Sequence, residues 1–333
     1  MTADERPNVL LVSVDDMNDW VGCLDGYPGV STPCIDALAE RGVLFADAQC
    51  PSPLCNPSRS AILTGRSPAN SGVYDNRHWW KPAMPDVTTL PECFRNAGYE
   101  AVGGGKVYHH TPGFNPPDQW DAYFDLRFDD PWDRCRKPYT PHWDIPRVDP
   151  PRGHPFSGLE PFRHEYDWGS LDLPESGYGD AATVDWASAY LAQPHDRPFF
   201  LAVGTFRPHL PWYAPRAYFD RYPLEAIVLP AVFDSDLEDV PPIGREFAAD
   251  ERDRLAQIKA QGRWEEAVQG YLAAIAFADA QVGRLLDALD RSPHADDTIV
   301  VFYSDNGFHL GEKDHISKST LWQRSGHVPF IMA

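Results

Sequence analysis

The chain has 333 residues, 43% hydrophobic and 23% charged, which excludes a disordered protein and allows one large α/β domain or two smaller ones. Its 29 Lys and Arg against 49 Asp and Glu give a formal charge of -20, which excludes nucleic acid and anionic membrane as whole-surface partners. No apolar run reaches the ~18 residues that suggest a membrane span, and any anionic substrate must be held by a local positive site.

The polar opening MTADERPN leads straight into NVLLVSV (8–14), a near-continuous apolar run of the kind found in parallel sheets, so no leader is read there and the compartment stays open. Asp15 and Asp16 follow it directly. TPCIDALAERG reads as a helix with Thr32 as cap, Pro33 at the first helical position and Gly42 as stop. PLCNPSRSAILTG (53–65) reads as a second helix start, with Asn56 able to cap, Pro57 in the first turn and Cys55 where amides and dipole help hold an anion. Next comes a polar-aromatic cluster, Tyr74, Asp75, Asn76, Arg77, His78, Trp79 and Trp80, suited to stacking on a pyranose or, equally, to core packing. TLPECFRNAG ends at Gly98, and YEAVG (99–103) is a second buried strand, followed by Lys106 and His109.

Residues 129–176, rich in Pro, Trp, Asp and Arg without periodicity, read as a long insertion that shapes a site, or as a linker. PFFLAVG (198–204) precedes His209, and TIVVFYS (298–304) precedes Asp305 and Asn306. Between them, apolar residues at near-helical spacing over 265–291 mark a packing helix. Alternating strands and helices predict an α/β fold, a doubly wound, mostly parallel sheet with helices on both faces. Ligands of such sheets bind beyond the carboxyl ends of the strands, where all four runs deliver polar residues.

Paired carboxylates at strand ends raise one another's pKa unless a cation neutralises them. Asp15, Asp16, Asp305 and Asn306 offer only oxygen, which suits Ca²⁺ or Mg²⁺ over Zn²⁺; singly, each pair is equally a turn or cap. The six cysteines, Cys23, Cys34, Cys50, Cys55, Cys93 and Cys135, form no C-x-x-C pair and read mostly as buried thiols, with a low-pKa thiolate the functional alternative at Cys55.

CNPSR followed by SAILTG resembles the C-x-P-S-R signature of the formylglycine-dependent sulfatases, within the alkaline-phosphatase-like superfamily. NVLLVSVDD, GGGKVYHH, FRPHLPW and SDNGFHLGEKDH with Lys318 extend the resemblance along nearly the whole chain. The stretch FRPHLPWYAPRAYFDRYPLE is similar to the iduronate-2-sulfatase-like branch, although Asn306 stands where that branch has histidine. The resemblance implies a Ca²⁺ site formed by Asp15, Asp16, Asp305, Asn306 and the modified Cys55. It implies a formylglycine hydrated to a gem-diol, attack of one hydroxyl on sulfur, a covalent sulfate and its expulsion when the second hydroxyl loses a proton to His109. Arg59 and Lys106 would hold the diol and sulfuryl oxygens, and His209 and Lys318 the leaving oxygen.

The implied partners are a sulfated carbohydrate or small sulfate ester and a formylglycine-generating enzyme. Two alternatives stay open, a phosphonate monoester or phosphodiester hydrolase and a non-catalytic sulfoglycan-binding protein with unmodified Cys55. Because sulfatases continue into a smaller C-terminal subdomain, residues 1–333 are expected to be the catalytic domain alone, cut before that subdomain.

Overall fold

The computed structural model describes residues 6–109, 114–124, 166–171, 173–233, 235–247 and 249–333. The insertion expected at 129–176 lies outside the described residues as far as 165, and so does Cys135. The four apolar runs form strands close to the limits read from sequence. They are β1 (Asn8–Val14), β3 (Glu100–Gly105), β6 (Phe199–Gly204) and β8 (Thr298–Ser304); β2 (Val43–Leu44), β4 (Ala122–Phe124) and β9 (Phe330–Met332) complete the sheet.

The strand order is β2-β9-β8-β1-β6-β3-β4. β1 pairs in parallel with both β6 and β8, β3 with both β6 and β4, while β9 runs antiparallel to β8 and β2. Because β1, β6, β3 and β8 point the same way, the residues after them emerge at one edge. Two short parallel strands, β5 (Trp168–Leu171) and β7 (Trp212–Pro215), pair separately.

Side-chain alternation splits the core in two. Leu10, Val12 and Val14 of β1 pack with Ile35 and Leu38 of α1 (Pro33–Arg41) and with Val184 and Leu191 of Gly179–Leu191. The long helix Trp264–Asp290 adds Tyr271, Leu272 and Ile275 to the same face. On the opposite face Leu11, Phe200 and Tyr303 meet Leu63 of α2 (Cys55–Thr64) and Trp80, with Leu90 and Phe94 of Leu90–Asn96 packed alongside. Helices therefore cover both faces, and each fully buried Leu, Val or Phe contributes about 1.5–3 kcal/mol.

Helix starts differ from the sequence reading in two places. Thr32 holds the cap position of α1, but its side chain does not cap the helix; its hydroxyl accepts from Gly22 N at 2.8 Å and donates to Asp36 at 3.1 Å. The first amides of α1 are met instead by Asp279 of the long helix, which accepts from Ile35 N at 2.8 Å and Cys34 N at 3.1 Å. Asn56 is not the cap of α2 either, because Leu54 holds that position and Asn56 lies inside the helix. Of the described cysteines only Cys55 is buried; Cys23, Cys34 and Cys50 are half-buried and Cys93 is exposed, all as free thiols.

Candidate active site

At the carboxyl edge the chain turns sharply after β1, with Asp16 in the left-handed region at φ 63°. That turn is held from three sides: Asp16 N donates to Asp305 Oδ1 at 3.1 Å, Met17 N to Ser304 Oγ at 3.0 Å, and Tyr271 OH donates to Asp16 O at 2.7 Å. β1 and β8 are adjacent and in register from Val14 to Ser304, which puts Asp15 and Asp16 beside Asp305 and Asn306. Asn306 Nδ2 donates to Asp16 Oδ1 at 2.8 Å.

α2 aims its first residue at this pair of strand ends. Cys55 Sγ lies 3.7 Å from Asp16 Oδ1 and 2.9 Å from Lys318 Nζ, which also reaches Asp16 Oδ1. One turn along α2, Arg59 donates through Nε to Asp305 Oδ2 at 2.7 Å, sits 3.3 Å from Asp15 Oδ1 through Nη2, and bonds Ser13 Oγ and Val107 O at 3.0 Å. Lys106, the residue after β3, pairs with Asp15 Oδ2. His209, beyond β6, brings Nε2 to 3.8 Å from Asp16 Oδ2. Its Nδ1 faces the carbonyl of Leu210; a carbonyl only accepts, so Nδ1 carries the proton and Nε2 keeps a lone pair toward the site.

His109 is buried, 5.8 Å ring to ring from Phe114, and within electrostatic reach of Lys106, Asp15, Lys318 and Arg59. All ten sequence-predicted residues therefore gather at one edge; Asp16 and Lys318 touch Cys55, and the contacts above link these three to Asp15, Arg59, Lys106, His209, Asp305 and Asn306.

The electrostatics are those of a site prepared for additional charge. Burial alone would raise Asp15, but Lys106, His209, Arg59 and Lys318 hold it well below the usual carboxylate range. Asp305 is pushed up to about 7 by burial and by the nearby Asp15 and Asp16, against the pull of Arg59. Burial lowers Lys318, yet Asp16, Cys55 and Asp15 outweigh it and keep the ammonium charged. Burial, then Lys106, brings His209 down to about 4 and His109 well below the usual imidazole range, so both rings are neutral. The Cys55 thiol is raised well above the ordinary range by burial and Asp15, which argues against the low-pKa thiolate.

The residues fit a divalent cation. The ligand atoms of Asp15, Asp16, Cys55 and His209 lie within 4.8 Å of one another, and Asp16 Oδ2 and Asn306 Oδ1 are buried with no hydrogen-bond partner. Orphaned oxygens at this depth are costly unless a ligand meets them. Asp305 is the most constrained of the four expected ligands: its Oδ1 already accepts from two backbone amides and its Oδ2 from Arg59, leaving Oδ2 one lone pair for a metal.

Several supporting residues left weaker marks in the sequence. Tyr271 sits in the predicted packing helix and does pack there, yet its hydroxyl also fixes the Asp16 turn. Asp180 accepts from Phe206 N at 2.7 Å and Arg207 N at 3.0 Å, and Arg207 Nη1 donates to His209 O at 3.1 Å, so two buried charges shape the His209 loop. His315 Nε2 meets Lys318 O at 2.9 Å. In SDNGFHLGEKDH the histidines stand among many polar residues, and only the fold reveals which one faces the Lys318 backbone.

The sulfatase family model matches residues 7–333. The chain belongs to the sulfatase family. It is 36% identical to a sulfatase of Formosa agariphila over 99% of this chain and 64% of that protein, and 32% identical to iduronate 2-sulfatase of Homo sapiens over 97% and 59%. The chain thus spans about six tenths of the length of these relatives. Among solved structures, the sulfatase fold recurs in a phosphonate monoester hydrolase of Silicibacter pomeroyi (TM-score 0.75, 21% identity, 98% and 68% covered). It recurs also in a 2-O GAG sulfatase (TM-score 0.67, 23% identity, 99% and 64% covered). The seven-stranded sheet and the edge that carries Cys55 are therefore a sulfatase framework.

Proposed function

We propose that this chain is the catalytic domain of a sulfuric ester hydrolase acting on a sulfated sugar, with residue 55 working as formylglycine. The observation that carries the reading is the meeting of Asp16, Lys318 and Cys55 Sγ at the start of α2. Kinship with iduronate 2-sulfatase supports a 2-O-sulfated uronate as the substrate class.

Asp15, Asp16, Asp305 and Asn306 would hold Ca²⁺, with Mg²⁺ as the substitute, and the cation would supply Lewis acidity to the attacking oxygen and to a sulfuryl oxygen. Once oxidised and hydrated, residue 55 would supply one hydroxyl for attack on sulfur and a second whose deprotonation would release sulfate. The rest is done by this chain's own groups. Arg59, Lys106 and Lys318 balance the three carboxylates Asp15, Asp16 and Asp305, so a divalent cation leaves a positive excess that attracts the sulfate ester despite the acidic surface. Lys318, charged and beside residue 55, donates the proton that the leaving alcohol needs. His209 accepts through Nε2 from the alcohol once Lys318 has protonated it, and neutral His109 offers a lone pair to the second hydroxyl.

Mass spectrometry of the peptide spanning Cys55, from cells that make a formylglycine-generating enzyme, tests the reading. It should be lighter by the difference between H₂S and O, and the same preparation should hydrolyse an aryl sulfate faster than an aryl phosphonate. An unmodified thiol would return the chain to sulfoglycan binding, and a large preference for phosphonate would make it a phosphonate hydrolase.

A further inference from the structure

The segment 74–80 reads in the sequence as a polar-aromatic cluster, and the structure divides it. Trp80 belongs to the core: it is 1% exposed, stacks on Tyr108 at 5.5 Å and donates through Nε1 to Phe114 O at 2.8 Å. Tyr74 and Trp79 do the opposite, with 59% and 54% of their surfaces exposed. A Trp left exposed calls for a reason, because burying an indole is among the most favourable packing events available.

The loop is not a loose rim. Asn56, the residue after Cys55, clamps it with its whole polar complement: Asn56 N donates to Asn76 Oδ1 at 2.9 Å, and Asn56 Nδ2 donates to Asp75 O at 2.8 Å and His78 O at 2.9 Å. Asn56 Oδ1 is held in turn by Ser60 Oγ at 3.1 Å. Within the loop, Tyr74 N donates to His78 Nδ1 at 3.1 Å. On the far side, Trp79 stands edge-on to Phe114 at 5.7 Å and 82°, and Phe114 is the ring that touches His109. Trp79 is thus one ring away from a residue of the site, and residues 75–78 are one residue away from Cys55. Arg77 lies on the same loop with its side chain 89% exposed and, among the described residues, paired with the half-exposed Asp75 alone at 2.8 Å. Such a pair is worth little in water, so the guanidinium is free to exchange partners.

We propose that Tyr74, Arg77 and Trp79 form the sugar subsite of this centre, taking the anionic pyranose ring next to the sulfated carbon. The inference rests on the sulfatase reading above and adds the part of the substrate that the metal and residue 55 do not touch. Trp79 provides a flat apolar surface for the axial hydrogens of the ring, Tyr74 a second aromatic wall with a hydroxyl, and Arg77 a planar fork for a carboxylate or a second sulfate. The anchoring through Asn56 makes the subsite rigid with respect to residue 55, so a ring seated on Trp79 is positioned for attack. In a chain of net charge -20, a cation on this loop also gives an acidic glycan a place to land.

The test measures kcat/KM for Trp79→Ala, Trp79→Phe and Arg77→Gln on an aryl sulfate, on a 2-O-sulfated disaccharide containing a uronate, and on its neutral-sugar counterpart. Trp79→Ala should lose at least about tenfold more on the disaccharides than on the aryl sulfate, a difference of about 1.4 kcal/mol, and Trp79→Phe should recover most of it. Arg77→Gln should lose its selectivity for uronate over neutral sugar. Equal losses on all three substrates, with thermal midpoints showing folded protein, would overturn the subsite while leaving sulfate hydrolysis intact. If the parent turns over no sulfate ester, the hydrolase reading fails separately. The subsite is then judged by equilibrium binding of the disaccharide: weaker binding by Trp79→Ala upholds it, and unchanged binding sinks it.

Discussion

The starts of α2 and of the helix Leu90–Asn96, hereafter α3, show two uses of the same local chemistry. Both carry proline in the first turn, and both are preceded by extended backbone. α3 satisfies its own terminus: Thr89 and Glu92 form a reciprocal capping box, with Glu92 Oε2 accepting from Thr89 N at 2.7 Å. α2 has Leu54 as cap, no side-chain cap bond and no acid in its first turn. Its positive end points at a nest of carboxylates and ammonium groups. α1 falls between them, capped in trans by Asp279. A helix terminus that only has to be stable is closed by its own sequence, whereas the first turn of α2 is met from outside, Asn56 N by Asn76 Oδ1, with Cys55 turned to the site.

Three substitutions break or sharpen this contrast. Cys55→Ala should lower turnover of an aryl sulfate by at least about a thousandfold, because the nucleophile is gone, while unfolding free energy stays within about 1 kcal/mol of the parent. Retained turnover would show that α2 is an ordinary helix start.

Asp279→Asn has a smaller effect, visible only against pH. Burial raises Asp279 from 3.8 to about 6 in the fold, so between these values the native state binds more protons than the unfolded state. Stability therefore falls as pH rises from about 4 to about 6, by as much as about 3 kcal/mol over the window. Asparagine keeps an acceptor for the amides of Cys34 and Ile35 and does not ionise. Denaturant titrations of the variant should be flatter across this range; parallel curves would reject the assignment. Smallest of all, Thr89→Ala should cost about 1 kcal/mol of stability and leave turnover unchanged, read from the same two assays.

Much of this was legible before the fold. The parallel strands announced themselves as apolar runs because they are buried on both faces, and the polar residues after them had to emerge together once the strands ran the same way. Trp80 was undecided, since an aromatic run looks alike whether its rings enter the core or leave it, and only Phe114 and Tyr108 decide which. Thr32 and Asn56 misled for a related reason: both are good caps by residue type, yet tertiary partners claimed their side chains, Gly22 and Asp36 in one case and the 75–78 backbone in the other. Asp279 and Tyr271 were hidden inside a helix whose periodicity speaks only of packing. Long-range hydrogen bonds leave no trace in local spacing.

The burial of Cys55 also sets an order of events. Its side chain is sealed by Asp16, made near the beginning of the chain, and by Lys318, which lies 263 residues further along. At a synthesis rate of about 5–20 residues per second, roughly 13–50 s pass between the appearance of the thiol and the arrival of the lysine that covers it. Once the fold is complete only 1% of Cys55 is exposed. Any catalyst that must grip the bare thiol has to reach it before the fold closes over it, and the finished protein keeps a record of whether it arrived in time.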